Sequence, residues 1–544
     1  MPEDHLLSDQ GRGAHRSLPE IPEQALGGVR DVPIPFRSIL FGPTDAPADL
    51  DALPEPACFG DLNLDQVVAS LVAGRGEYRL EGYYRLPLID VDLVTYRQEV
   101  FLDLRRENVL AAVTDFADTM ERVRDKLTLA SKRYHRHEKA RWFLEAALVY
   151  AEAVTHLVTD LDGSHPESRA LRGLLSSAVA YTRSDGFMRM RGEAARVRTA
   201  LDGIRYDVWL HGARVTVGPY DEERNYSLEV ARTFARFQQH PTDAATEHYS
   251  TDGGLDPVEA RILDQVAQVF PEPFADLDEF TREHASFIDP LVGAFDREAH
   301  FYLAYLDLIR PLREAGLCFD LPAVSTRDKR ENASATFDIA LAVQLVAAAK
   351  QVVTNDLSLS GAERILVITG PNNGGKTTTA RTVGQLHHLA ALGCPVPGRD
   401  VRLFLPDAIY THFERREDPA AMAGKLQEEL QRFSDDFARA TSASLIVMNE
   451  MFSSTTVHDA LFLSRAMLQR ISDLGALGVC VTFLDELATF DESTVSMVSS
   501  VDPDDPATRT YQVTRRAADG RAFARAIADK YGLTHDQLGQ RVRS

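Results

Sequence analysis

At 544 residues the chain is longer than one hydrophobic core sustains, so it divides into two or three domains. An apolar share of 44% with 26% charged residues fits a soluble globular protein and excludes a disordered or membrane-embedded one. The formal charge of −22 excludes a surface coated in cations for nucleic acid but leaves room for a local basic patch.

Residues 1–56 hold nine of the 26 prolines and no sustained periodicity, which predicts an extended or disordered lead segment with one short docked piece at 36–41. The first residues lack a basic start followed by an apolar core, so no signal peptide is expected. Residues 57–345 read as a mainly α-helical domain. Asp61, Asn63 and Asp65 offer caps, and 91–160 carries apolar residues at helical spacing with few breakers. The period changes at 205–218, where Val208 and Leu210, then His211-Gly212, then Val215 and Val217 predict a β-hairpin. Helical pattern returns over 227–239 and 257–315, with Gly316 as a stop. A polar loop at 325–335 leads to a helix ending near Lys350. Its apolar stretch, 339–353, is broken by Gln344 and Lys350 and is too short and polar to span a bilayer. From 346 to 544 strands and helices alternate, the pattern of an α/β domain with a parallel sheet. Cys58, Cys318, Cys394 and Cys480 lie far apart without metal-ligand spacing and read as the reduced thiols of a cytoplasmic protein.

The most informative segment is 365–386. An apolar strand, Ile365 to Ile368, runs into Gly370-x-x-x-x-Gly375-Lys376-Thr377 and then into a helix-compatible stretch, which is the order a phosphate-binding loop requires. The glycines let successive backbone N–H groups turn toward one point and let a phosphate approach the main chain. Gly370, Pro371, Asn372, Asn373, Gly374, Gly375, Lys376, Thr377 and Thr378 are therefore the candidate nucleotide cradle. Lys376 reaches the terminal phosphates, the Thr377 hydroxyl completes a Mg²⁺ shell, and the following helix adds its N-terminal dipole. The bland alternative is a glycine-rich turn with an incidental lysine.

Downstream, Ser444-Leu-Ile-Val-Met-Asn-Glu450 is an apolar run ending in an acid, the way a second strand brings side chains to Mg²⁺ and the attacking water. Glu450 is the candidate for polarising that water, with Lys376 as its catalytic companion. Asn449 stands on the metal side, partly through water, and brings no charge, which weakens Mg²⁺ affinity or slows hydrolysis. The hydroxyl-rich loop 452–456, with Ser454 and Thr455, is either a donor to the γ-phosphate of a nucleotide held by a partner subunit or an ordinary helix N-cap. A third strand, 477–483, brings Asp485 and Glu486 toward the same sheet edge.

Gly370-Pro-Asn-Asn-Gly-Gly-Lys-Thr-Thr378 resembles the TGPNMGGKST box of the MutS mismatch-repair family. Gly393-Cys-Pro-Val-Pro397 is similar to its GxxVPA segment, Val447-Met-Asn-Glu-Met451 to its LMDEI, and Thr455 with Asp459 to its GTST-x-DG stretch. Glu429 matches the acid of its STFMxE helix, and Pro87-Leu-Ile-Asp-Val-Asp-Leu-Val-Thr-Tyr-Arg-Gln98 its PLxDxxxIxxRQ. The resemblance covers most of 60–540 and implies an ABC-type P-loop ATPase domain at 346–544, preceded by a helical core and lever domain at 57–345 with the clamp reduced to the hairpin. It also implies ATP and Mg²⁺ as cofactors, a homodimer with composite sites, duplex or branched DNA as ligand, and repair-protein partners. The departures are informative. The family's adenine-stacking aromatic is Val352 here, so stacking is expected to be looser. Its nucleotide-sensing histidine is Phe483, within Thr482-Phe-Leu-Asp-Glu486, and the arginine of its RGTST loop is Ser453. The mismatch-reading domain with its Phe-x-Glu wedge and the Smr nuclease module find no counterpart, so a short member of the family is expected. Phe143-Leu-Glu145 lies in a helical stretch and reads as packing.

For DNA, residues 122–141 carry eight Lys/Arg against two acids, with Tyr134, His135 and His137 among them, and five arginines fall between Arg183 and Arg198. Such local charge suffices for phosphate contacts; a solvated helix face is the alternative. His135 and His137, two apart, point to different faces of a helix and do not suggest a shared metal. His387-His388 reads as a packing or surface feature. The leading reading is a MutS-like, slowly hydrolysing ATPase that clamps DNA in repair or recombination. One alternative is a nucleotide-gated scaffold with a protein partner. An SMC-type head is disfavoured, because the span from Lys376 to Asn449 leaves no room for a long coiled coil.

Overall fold

The computed structural model describes residues 36–44, 47–212, 214–220, 254–414, 424–453, 455–501 and 509–518. They fall into two compact units, one from 106–166 and 172–296, the other from 36–105, 167–171 and 297–518. Residues 57–105 and 297–345, grouped by pattern with the helical domain, thus pack in the same unit as the phosphate loop. The helical pattern expected at 227–239 lies outside the described residues.

In the first unit, helices Glu107–Lys132 and Arg136–Ser164 are joined by three residues and pack along their length. Val109, Val113, Phe116, Met120 and Val123 recur at helical spacing, and all are buried. Helix Asp185–Asp202 starts at Ser184, whose hydroxyl accepts from Phe187 N. The expected hairpin follows as β1 (Tyr206–His211) and β2 (Arg214–Pro219), with Val208 opposite Val217. Helix Pro257–Val269 begins with a reciprocal capping box between Asp256 and Glu259 and is followed by helix Pro271–Glu283. Helix Pro290–Glu314, whose residues from 297 onward belong to the second unit, ends two residues before Gly316, as expected.

The second unit contains short strands β3 (Phe319–Asp320), β4 (Ala323–Ser325), β5 (Glu331–Thr336) and β6 (Asn355–Leu359). It continues with β7 (Ile365–Thr369), β8 (Val396–Pro397), β9 (Arg399–Phe404), β10 (Ile409–Phe413), β11 (Leu445–Asn449), β12 (Leu477–Val481), β13 (Thr494–Val501) and β14 (Arg509–Arg515). The expected loop at 325–335 is in part strand. The small polar residues of β5 carry no alternation, and β5 is set by its neighbours β6 and β9 in a four-stranded sheet ordered β4-β9-β5-β6. The larger sheet has six strands ordered β10-β11-β12-β7-β13-β14. Its first five are parallel as expected, but β14 returns antiparallel, so the sheet is mixed. Only seven residues separate β13 from β14, too few for the helical crossover that a parallel pairing would need. β7, β11 and β12 are buried throughout, as parallel strands covered on both faces must be.

The lead segment docks where expected. Ile39, Leu40 and Phe41 are buried, and Glu298 accepts from Ser38 Oγ at 2.7 Å and from Ile39 N at 2.8 Å. Among the described residues no helix is long and apolar enough to cross a membrane, and all four cysteines are free.

His387 and His388 are packing residues of the helix Lys376–Ala391. His388 Nε2 lies 2.8 Å from Tyr84 O, and its ring stands edge-on to Phe59. His387 faces acceptors on both nitrogens, Val383 O at 2.8 Å and Glu331 Oε1 at 2.8 Å, so it is an imidazolium. Burial alone would lower its pKa, but the Glu331 carboxylate and the two hydrogen bonds outweigh that, and the net shift is upward from 6.5. A histidine with a raised folded pKa contributes stability that is whole below its unfolded value and is lost as pH climbs through the folded one. Denaturation at several pH values should therefore show wild-type stability falling above pH 6.5, more steeply than in His387→Gln by up to about 1.4 kcal/mol per pH unit. Equal slopes in the two proteins would refute the buried cation.

Candidate functional site

The site is built at the ends of β7 and β11. β7 delivers the chain into the loop 370–375, and Gly375, at φ +94, caps the helix Lys376–Ala391. The loop is seated on the neighbouring strand: Ser499 Oγ donates to Gly374 O at 2.7 Å. A Cβ at Gly374 would lie 2.1 Å from Ser499 Oγ, so only glycine keeps the loop closed on β13. The sequence pattern shows the loop glycines but not Ser499, which approaches from across the sheet.

Lys376, only 3% exposed, holds its ammonium 3.0 Å from Gly370 O, 3.3 Å from Pro371 O and 3.1 Å from Asn372 Oδ1, with Glu450 Oε1 at 3.5 Å. Burial lowers its pKa and Glu450 partly restores it. The group is an oriented, partly desolvated cation at the mouth of a helix N-terminus, where phosphate oxygens are favoured.

Thr377 Oγ1 donates to Asn449 Oδ1 at 2.9 Å, joining the start of the loop helix to the end of β11. Glu450 follows in a tight turn at φ +50, and its N–H donates to Val481 O at 2.9 Å, fixing it beside β12. Left-handed backbone at a non-glycine residue is costly and often marks a functional turn. Thr377, Asn449 and Glu450 offer only oxygen ligands, which fits a hard cation such as Mg²⁺. Bound there, Mg²⁺ would neutralise phosphate charge, and Thr377 and Asn449 are the residues that would hold it. Glu450 would be the carboxylate to take a proton from water, with the Lys376 ammonium 3.5 Å from it.

The other expected residues are placed less centrally. Asn372 and Asn373 are exposed on the loop, and Thr378 is half-buried in the first turn of the helix. Ser454 lies outside the described residues. Thr455 precedes Thr456, which does cap helix Val457–Leu474 by accepting from Asp459 N, so the ordinary capping role of this loop is present. Ser453 Oγ donates to Glu414 Oε1 at 2.8 Å. Phe483, 49% exposed, follows the end of β12, while Asp485 and Glu486 begin a short 3-10 turn, Asp485–Thr489. Val352 lies in the connection to β6, half-buried, three residues before Asn355. It offers a base only aliphatic contact. Glu429 is half-buried on helix Lys425–Arg439.

Five of the thirteen Lys/Arg in the two basic stretches of the helical unit pair with acids of the same unit. Arg124 pairs with Asp296 and Arg196 with Asp276. Arg133 lies 3.1 Å from Glu138, Arg141 2.6 Å from Glu145, and Arg198 2.6 Å from Asp202. Arg136 Nε donates to His137 Nε2 at 3.1 Å; burial, then Arg136, lowers the His137 pKa, consistent with a neutral acceptor ring. Arg122, Lys132, Lys139 and a fully exposed Tyr134 remain at the surface.

A model of MutS domain V matches residues 366–534. The chain is 27% identical over 357 residues to the Endonuclease MutS2 of Thermomicrobium roseum, covering 63% of this chain and 40% of that protein. It is also 27% identical over 334 residues to the DNA mismatch repair protein MutS of Shouchella clausii, covering 58% of this chain and 36% of that protein. The chain thus spans well under half the length of these relatives.

Proposed function

The chain belongs to the MutS family, and from that premise we propose that it is an ATP-binding, slowly hydrolysing protein that works as an ATP-gated dimeric clamp on duplex or branched DNA in repair or recombination. One observation carries the reading: the loop lysine, the Thr377–Asn449 hydrogen bond and the strained Glu450 converge on one sheet edge. Residues 346–544 act as the ATPase domain and 57–345 as core and lever, with the hairpin β1–β2 as a reduced clamp. Asn449 in place of a charged metal-side acid, and Phe483 in place of a polar group, slow the chemical step more than they weaken phosphate binding. Two copies pairing their ATPase domains would let Ser454 and Thr455 complete each other's sites.

A second reading is supported by the ion pairs of the helical unit. With Arg124, Arg133, Arg141, Arg196 and Arg198 each facing an acid, part of the positive charge of these stretches is already neutralised, which suits a nucleotide-gated scaffold for a protein partner. ATP turnover measured with and without linear and branched duplex, at low and at physiological salt, separates the two. The clamp predicts a basal rate below about 1 s⁻¹. It also predicts stimulation by DNA that fades steeply as salt rises. ATP binding with neither DNA binding nor stimulation at low salt would overturn the clamp and leave the scaffold.

A further inference from the structure

β14 changes register against β13 at the phosphate loop. Val501 pairs with Arg509 and Ser499 with Val513, so residues 510–512 face the single residue Ser500 in a bulge. Within it Tyr511 has φ +59, a conformation that aromatic residues rarely adopt. Asn355 clamps this backbone, donating from Nδ2 to Tyr511 O at 3.3 Å and accepting from Val513 N at 2.7 Å. The bulge lies directly on the loop: a Cβ at Gly375 would stand 3.2 Å from Tyr511 O. Bulges beside functional sites re-aim side chains, and strain held in this way points to a role.

The side chain at the start of the bulge is Arg509. Its Nε donates to the main-chain oxygen of Asn372 at 3.2 Å, in the middle of the phosphate loop. We propose that Arg509 is a further nucleotide-binding residue, whose guanidinium contacts the polyphosphate of a bound nucleoside di- or triphosphate and supplies a second positive charge beside Lys376. The proposal rests on the nucleotide site argued above. Its chemistry follows from the local charges. Lys376 shares its charge with Glu450, and Asn449 gives a metal ion no anionic ligand, so the cradle gains from another fixed cation. A planar guanidinium suits phosphate oxygens through paired hydrogen bonds.

The test uses the full chain with a fluorescent ATP analogue and with ADP, comparing wild type, Arg509→Ala, Arg509→Gln and Arg509→Lys. Arg509→Gln keeps a donor for Asn372 O without the charge, so it separates charge from loop support. Ala and Gln should both weaken ATP and ADP about 10- to 100-fold and flatten the dependence of affinity on salt, with Lys intermediate. Melting temperature without nucleotide should stay within about 2 °C of wild type. Wild-type affinity in the Ala variant, or full rescue by Gln, would overturn the assignment. A wild-type chain that binds neither nucleotide would instead overturn the site itself.

Discussion

Replacing Lys376 with alanine should raise the dissociation constant for ATP at least about 100-fold, a loss of roughly 2.7 kcal/mol or more. The ammonium is already positioned by two loop carbonyls and Asn372 Oδ1, and it is already largely stripped of water. A phosphate entering the loop therefore meets a cation whose desolvation and ordering were completed on folding, and each charge-assisted hydrogen bond it forms retains most of its strength. Truncation removes that attraction and also leaves the Glu450 carboxylate, now 3.5 Å from Nζ, facing the incoming phosphates without its counter-ion. The two effects act in the same direction. Titration with a fluorescent ATP analogue would test this, and an alanine variant that kept wild-type affinity would sink the assignment of the loop.

The parts of this site that were legible in the sequence are those whose chemistry sits in one contiguous stretch. A glycine-rich loop needs its glycines, lysine and threonine in order, and an apolar strand ending in Asn449-Glu450 announces what its tip presents. Ser499 and Arg509 reach the same loop from two other strands, Asn355 holds the bulge beside it, and their local sequence gives no reason to single them out. β5 is not legible in the sequence for a related reason. Its residues are short and polar, so pairing with β6 and β9 decides their conformation. Charge is legible only in part. Counting Lys and Arg along 122–141 shows a basic stretch, but Arg124 finds Asp296, which a one-dimensional count cannot anticipate. The docked piece at 36–41 was legible because Ile39, Leu40 and Phe41 have little reason to stay in water. What fixes them in place, Glu298 and Arg97, was not.

Arg97→Leu should be the most destabilising single change in the unit that holds the phosphate loop, at about 3–5 kcal/mol. Arg97 is 0% exposed, donates from Nε to Leu40 O at 3.0 Å and from Nη1 to Leu392 O at 3.2 Å, and stacks over Phe41 and Phe301. It therefore ties the docked lead segment to the end of the loop helix. The turn there is shaped around it, since a Cβ on Gly393, at φ +77, would lie 2.7 Å from Arg97 Cβ. Leucine satisfies neither carbonyl, and each buried acceptor left without a donor costs about 1–3 kcal/mol. The change also removes the cation that favours the ionised form of Glu298, whose pKa burial pushes up to about 7. A carboxyl raised from 4.5 contributes stability that is present at low pH and is lost as pH rises through its folded pKa. Raising that pKa further, as loss of Arg97 must, makes the variant's deficit larger at pH 8 than at pH 6. Thermal unfolding should show a fall on the order of 10 °C, deepening with pH, against a shift of a degree or so for the exposed Arg122→Leu. A fall of similar size at every pH would mean that Arg97 acts only by filling space and satisfying carbonyls. A fall no larger than that of Arg122→Leu would mean that the lead segment and the loop helix hold together without it.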